Sequence, residues 1–259
     1  MSTGLIFLYG GAAVLAFVTI IWILSLIIKR ADIMDIFWGL GLLMTSQVYA
    51  HFLPERSLAA SILLSLVILW GLRLSIYIAV RAMGKPEDAR YLAWRQENGN
   101  RWWWFSYFKV FLLQGAFMWV VSYALLMAQL DTPLNFLTYF GIGLFTIGFV
   151  FEAVADCQMW SFKRNPENKG RVLDTGFWKY TRHPNYFGET LLWWGFGAFA
   201  LAGGHWYALI SPLIMNWLLV KVSGVAMLDR LLKDTKPEYA EYIRTTSAFI
   251  PRKRKDSGS

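Results

Sequence analysis

Leu5–Ile28 reads LIFLYGGAAVLAFVTIIWILSLII and contains no charged side chain. About 20 apolar residues in a row is the length a helix needs to cross the hydrocarbon core of a bilayer. Strands of a membrane barrel alternate apolar and polar positions, and this stretch does not alternate. It decides the fold: a helix in lipid. Six further windows share its character. The chain is therefore expected to be an all-α polytopic integral membrane protein with seven transmembrane helices, at about 5–28, 36–53, 58–80, 109–129, 134–157, 188–203 and 206–224, forming one domain over 1–259. The first run lacks a basic leader and a small-residue cleavage site followed by polar sequence. It reads as the first span and not as a signal peptide.

Composition agrees. Of 259 residues, 56% are hydrophobic and 17% aromatic, while 16% are charged, too few to cover a soluble surface. The single cysteine, Cys157, excludes a disulfide framework and a multi-thiolate metal site, and reads as a small buried hydrophobe. No metal is expected. The net charge of +8 reflects orientation rather than nucleic-acid binding, because the charge is unevenly distributed. Weakly charged connections at Pro54–Ser57, Leu130–Pro133 and Gly203–His205 alternate with basic ones at Lys29–Asp35, Arg81–Phe108, Gln158–Phe187 and from Val225 onward. An excess of Lys and Arg marks the cytoplasmic side, which places the N-terminus outside and the C-terminus in the cytoplasm. The tail RKRKDSGS reads as a solvated segment near anionic headgroups. Trp102–Trp104 beside Arg101 suit an interfacial aromatic belt.

Ionisable groups inside spans are costly, so each needs a partner or a wet cavity. Arg73 lies in span 3, Glu152 and Asp156 in span 5, Glu189 at the start of span 6 and Lys221 in span 7, while Asp35 opens span 2. In the topology above all six fall in the cytoplasmic halves of their helices. This one-sidedness points to a polar pocket open to the cytoplasm beneath an apolar chamber. Glu152 and Asp156 are four apart, as are Asn185 and Glu189, so each pair projects from one helical face. Arg73, Tyr77 and Arg81 form a stripe at the same spacing. Snorkelling explains Lys221 and Arg81 equally well. No GKS/T phosphate loop, HExxH or CxxC occurs, and Gly141, Gly143 and Gly148 do not complete a GxGxxG fingerprint; they suit close helix packing instead.

The loop Gln158–Phe187 carries Lys163, Arg164, Asn165, Lys169, Arg171, Lys179, Arg182 and His183. The loop after span 3 adds Arg81, Lys85, Arg90 and Arg95. Guanidinium and ammonium groups suit phosphates, and Trp or Tyr faces suit an adenine ring. Topology alone would put cations here, but it does not require the Asn, Tyr, His and Glu that accompany them.

The run Phe151–Glu189, FEAVADCQMWSFKRNPENKGRVLDTGFWKYTRHPNYFGE, resembles the C-terminal region of the steroid 5α-reductase family. Its bacterial membrane branch is the nearer likeness, through WGLRLSIYI, GKPEDARY and the closing PEYAEYIRTTSAFIP. The resemblance runs from Asp35 over nearly the whole chain, and RHPNYFGE is its most specific part. It implies a seven-span bacterial inner-membrane reductase, a monomer, that uses NADPH on its cytoplasmic side to reduce a conjugated carbon–carbon double bond. The substrate would be a steroid or sterol-like lipid entering from the bilayer, with membrane lipids the only other partner. Carried over by motif, the cofactor contacts are Arg73, Tyr77, Asp156, Arg171, Tyr180, Arg182, His183, Asn185, Tyr186 and Glu189, with Arg81, Lys163, Arg164 and Asn165 beside them. Hydride would pass to the β-carbon of an enone while a donor stabilises charge on the carbonyl oxygen. The animal enzymes grip that carbonyl with a Gln-Glu pair which this sequence lacks. Asp35 stands at a similar distance before Arg73 and is the first candidate, kept protonated by burial; Tyr49, Tyr77 and Tyr91 are tyrosine alternatives.

Two other readings remain open. Isoprenylcysteine and phospholipid methyltransferases of membranes also place an RHP-Tyr turn before a span, but bind S-adenosylmethionine. Against them stand the Asn and Glu of HPNYFGE and the position of Asp229, where a Glu pair is expected. A non-catalytic lipid-binding protein is the other, and it leaves the one-sided polar cluster without a purpose.

Overall fold

The computed structural model of the protein describes residues 1–53, 55–222 and 238–254. Pro54, residues 223–224 of the expected seventh span, Asp229 and the tail from 255 lie outside the described residues. Among those described, every regular element is helical. Four helices are long and apolar enough to cross a membrane: Thr3–Ile28, Leu58–Ala82, Ala89–Met127 and Phe136–Arg164. The other three expected spans are helical too but are not among these four. The chain divides into two compact units, Met1–Leu134 with Ala200–Ala208, and Asn135–Phe199 with Leu209–Ser259.

In the first unit, α1 (Thr3–Ile28) starts at Ser2, whose hydroxyl accepts from the Leu5 amide, and stops where Lys29 turns left-handed at φ 57°. Helices α2 (Ile33–Phe52) and α3 (Leu58–Ala82) meet at two glycines. A Cβ on Gly39 would lie 2.6 Å from the Gly71 carbonyl oxygen, and one on Gly71 would lie 2.8 Å from that of Gly39. Backbones this close gain dispersion contacts that lipid does not supply.

The stretch Arg81–Phe108, expected as a basic loop, is largely helical. Asp88 caps α4 (Ala89–Asn98) by accepting from the Arg90 amide at 3.0 Å. A turn at Gly99–Arg101 leads into α5 (Trp102–Ser106), a π turn (Tyr107–Leu112), α6 (Leu113–Val121) and α7 (Tyr123–Met127). Arg and Lys are good helix formers, and here two of them also lie on aromatic faces. Arg95 sits 5.6 Å from the Trp102 ring and Lys109 sits 4.5 Å from that of Trp94.

In the second unit, Asn135 caps α8 (Phe136–Arg164), which runs past its expected end at 157. Lys163 and Arg164, read as loop residues, therefore occupy its last turn, where cations complement the helix dipole. Helix α9 (Pro184–Ala202) begins at its proline, which tolerates the first turn because no N–H partner is needed there. The expected seventh span is an unbroken helical run as far as it is described: a 3-10 turn (Trp206–Leu209), α10 (Ile210–Trp217) and a π turn (Leu218–Val222), together a short apolar helix over Trp206–Lys221. After the undescribed residues comes α11 (Tyr239–Thr245).

Helices α8 and α9 run together through two pairs of glycines. A Cβ on Gly148 would lie 2.5 Å from the Gly188 carbonyl oxygen, and one on Gly141 would lie 2.8 Å from that of Gly195. Both pairs repeat at seven residues, so two turns of contact are held backbone to backbone. Gly143, grouped with these in the sequence, faces open space with no atom within 4 Å.

Candidate functional site

The glycine contacts govern what α8 and α9 can hold between them. On α8 the buried positions are Thr138, Gly141, Phe145, Gly148, Glu152, Ala155 and Asp156, a stripe at helical spacing. It starts apolar and ends in two carboxylates. Glu152 is 2% exposed, Asp156 3% and, on α9, Glu189 8%. Asn185 Nδ2 donates to Asp156 Oδ1 at 3.2 Å. Asn185 Oδ1 is buried too, with no hydrogen-bond partner among the described residues. Within this unit Asn185 and Asp156 are thus joined, and Glu152 and Glu189 are buried on the same two helices.

The loop between the helices is folded onto α8. Trp178 Nε1 donates to the Ala155 carbonyl at 3.1 Å, the Phe177 amide donates to Gln158 Oε1 at 3.0 Å, and Phe151 stacks on Phe177 at 4.5 Å. Gly176 makes the turn at φ 60°, a conformation costly for other residues. Beyond it Thr181, Arg182 and His183 are all buried. The His183 ring stacks on Tyr186 with centroids 5.6 Å apart. Arg182 Nη1 donates to the carbonyls of Thr246 at 2.6 Å and Ile243 at 3.1 Å. Lys163, Arg164, Asn165, Arg171 and Tyr180 remain exposed around this turn. Arg164 lies 4.4 Å from the Trp160 ring.

Away from the buried stripe, α8 and the loop line an open cleft of about 620 Å³, with Val154, Cys157, Gln158, Ser161, Asn165 and Thr175 among its walls. Cys157 is exposed there, which corrects its reading as a buried hydrophobe. One residue past Asp156 on a helix is a rotation of about 100°, enough to leave the stripe.

In the first unit, the structure unites two of the four candidate donors. Tyr91 donates its hydroxyl to Asp35 Oδ1 at 2.7 Å, and Arg90 Nη2 reaches Asp35 Oδ2 at 3.3 Å. Gln114 Nε2 donates to the Tyr91 oxygen at 3.3 Å. Tyr77 is placed differently, flanked by Arg73 at 5.9 Å and Arg81 at 5.5 Å from its ring. Tyr49 is fully buried and shares a 2.7 Å hydrogen bond with Ser122. A second set of bonds ties α4 down: Arg95 and the Ala31 amide meet on Glu87, while Arg30 and the Asp88 amide meet on Asp32. Burial pushes the Asp88 carboxyl upward, but its hydrogen bonds from Arg90 outweigh that and leave it below the usual carboxylate range. Gln114 was not singled out in the sequence. An amide inside an apolar run carries the same desolvation cost that flagged Arg73, and that cost is the signal for it.

Such a chain, all-helical with buried carboxylates and amides on helices long enough to cross a bilayer, is an integral membrane protein. It belongs to the family described as protein of unknown function (DUF1295), whose match covers residues 21–246 and which is related to steroid 5α-reductase-like proteins. An uncharacterized protein of Schizosaccharomyces pombe is 24% identical over 273 aligned positions, covering 90% of this chain and 76% of its own length. A probable O-methyltransferase of Ustilaginoidea virens is 34% identical over 77 residues, 30% of this chain and 26% of that protein. No solved structure matches the chain.

Proposed function

We propose that the protein is a seven-span membrane reductase that uses NADPH to reduce the conjugated double bond of a flat lipid enone such as a 3-oxo-Δ4 steroid. The observation that carries this is the Asp156–Asn185 pair. Asp156 holds the Asn185 amide by its Nδ2 and leaves Asn185 Oδ1 a buried acceptor with no hydrogen-bond partner among the described residues, on helices that also bury Glu152 and Glu189. An acceptor fixed in that way suits a ribose hydroxyl or a carboxamide N–H, and a nicotinamide dinucleotide carries both. The residues therefore fit the cofactor. His183, Tyr186 and Glu189 would hold it beside Asn185, and the exposed Lys163, Arg164 and Arg171 suit its phosphates. In the first unit Arg73, Tyr77 and Arg81 are the further candidates. Bound NADPH supplies the hydride. Tyr91 would serve as donor to a carbonyl oxygen by turning its one hydroxyl proton from Asp35 Oδ1 to the substrate, while Gln114 keeps donating to the phenol oxygen. Family relationship supports the reaction class. The basic connections would face the cytoplasm of a bacterial inner membrane, and the protein would act as a monomer on substrate drawn from the bilayer.

One observation favours a second reading, an S-adenosylmethionine-dependent methyl transfer: the partial match to the probable O-methyltransferase. Calorimetric titration of the purified protein with NADPH and, separately, with S-adenosylmethionine decides between them. Binding of NADPH alone, followed by its oxidation when a 3-oxo-Δ4 steroid is added, is the expected result. Binding of S-adenosylmethionine alone would replace the reductase by a methyltransferase.

A further inference from the structure

The described part of the C-terminal segment is laid across the loop that precedes α9, and two of the bonds that hold it come from one buried cation. Arg182 Nη1 donates to the carbonyls of both Ile243 and Thr246. Its amide donates to Ser247 at 2.9 Å. Thr181 Oγ1 donates to the Phe249 carbonyl at 2.9 Å, and the Arg252 amide returns to the Tyr180 carbonyl at 2.9 Å. Tyr242 donates its hydroxyl to the Trp178 carbonyl, and Arg254 pairs with Asp174 at 2.7 Å. Phe187 meets Phe249 edge to face.

Two physical points follow. A buried guanidinium with two carbonyl acceptors is a charge-assisted tie, stronger than a neutral bond and costly to leave half made. The carbonyls of Ile243 and Thr246 belong to the end of α11 and the residue after it, where a helix leaves acceptors unsatisfied. Arg182 therefore acts as the cap of α11 from across the fold. Arg182 is 7% exposed and its Nη1 is already engaged by two carbonyls, whereas Arg171 stands exposed.

We propose that Arg182 is a positioning residue: it clasps Tyr239–Arg254 onto the loop before α9, and so orders the start of α9, with His183 just before it, Asn185 in its first turn and Glu189 in its second. Its importance for cofactor binding rests on the reductase reading, but the clasp itself does not.

Hydrogen exchange of the purified full chain tests it without any nucleotide. In Arg182→Gln, and in the milder Tyr242→Phe, exchange should accelerate at least about tenfold in peptides covering both 180–189 and 242–254, with α1 and α3 unchanged. Arg182→Lys, which keeps one donor to one carbonyl, should recover part of the protection. Wild-type exchange in both segments of Arg182→Gln and Tyr242→Phe would overturn the clasp. Acceleration confined to 242–254 would overturn the ordering of α9. An NADPH titration of the same proteins keeps the two proposals apart. Failure of the wild type to bind removes the reductase reading and leaves the exchange result standing. Weaker binding in Arg182→Gln without faster exchange makes Arg182 a direct contact and removes its positioning role.

Discussion

Asn185 on α9 donates its amide to the carboxylate of Asp156 on α8 at 3.2 Å, across a helix pair whose glycines let the backbones touch. The hydrogen bond depends on that approach, and each partner has its own consequence for function.

Replacing Asp156 by Ala leaves the Asn185 amide buried without its acceptor. The expected loss is about 1–3 kcal/mol of stability, seen as a lower midpoint in detergent. Asn185→Ala removes the acceptor proposed for the cofactor and should weaken NADPH at least about tenfold, a loss of about 1.4 kcal/mol. Unchanged affinity in that variant would take Asn185 out of the site.

Gly188→Ala should be among the most damaging small substitutions in the chain. Its Cβ would lie 2.5 Å from both the Glu152 amide nitrogen and the Gly148 carbonyl oxygen. Backbone cannot rotate away as a side chain can, so α8 and α9 must part, at a cost of about 1–3 kcal/mol. Gly143→Ala is the control: with nothing within 4 Å it should be neutral or stabilise the helix by up to about 1 kcal/mol. Equal thermal midpoints for the two variants would remove the glycine contact as a determinant.

Tyr91→Phe keeps the ring and deletes the hydroxyl shared by Asp35 and Gln114. Turnover of an enone should fall at least about a hundredfold, within the range for a lost general acid, with NADPH affinity retained. Asp35→Asn should lose less if Asp35 orients that hydroxyl and more if it is itself the acid. Full turnover in Tyr91→Phe would return the donor's role to Asp35.

Acid should loosen α4. The folded carboxyl of Asp88 titrates below its ordinary value of 3.8, so the unfolded chain binds the proton more readily. Its contribution is complete above about pH 4 and is lost as pH falls through the lower folded value. Cleavage after Arg90 and Arg95 by an acid-tolerant protease should rise over that window. Asp88→Asn should flatten the dependence.

Cys157, the chain's single cysteine, is exposed beside the α8 cleft. A maleimide should therefore modify one thiol in the folded, detergent-solubilised protein. Labelling that needs denaturant would return Cys157 to the interior.

Much of the helix placement was legible because lipid imposes a length on apolar runs. The burial of Glu152, Asp156 and Glu189 was legible for the same kind of reason: a four-residue spacing on a helix fixes direction. The basic stretch after α3 was not. Its Lys and Arg obey a topological bias that ignores secondary structure, and read as a basic loop they hid the helix that residues of their kind form readily.

By itself, then, the sequence determined a helical chain suited to a membrane and the one-sided distribution of its charge, since period and hydropathy are local properties. Tertiary structure alone decided which glycines meet, that Tyr91 rather than Tyr77 joins Asp35, and that Arg182 reaches Ile243 and Thr246. Those contacts join residues far apart in the chain, and no local period encodes the distance at which two backbones stop.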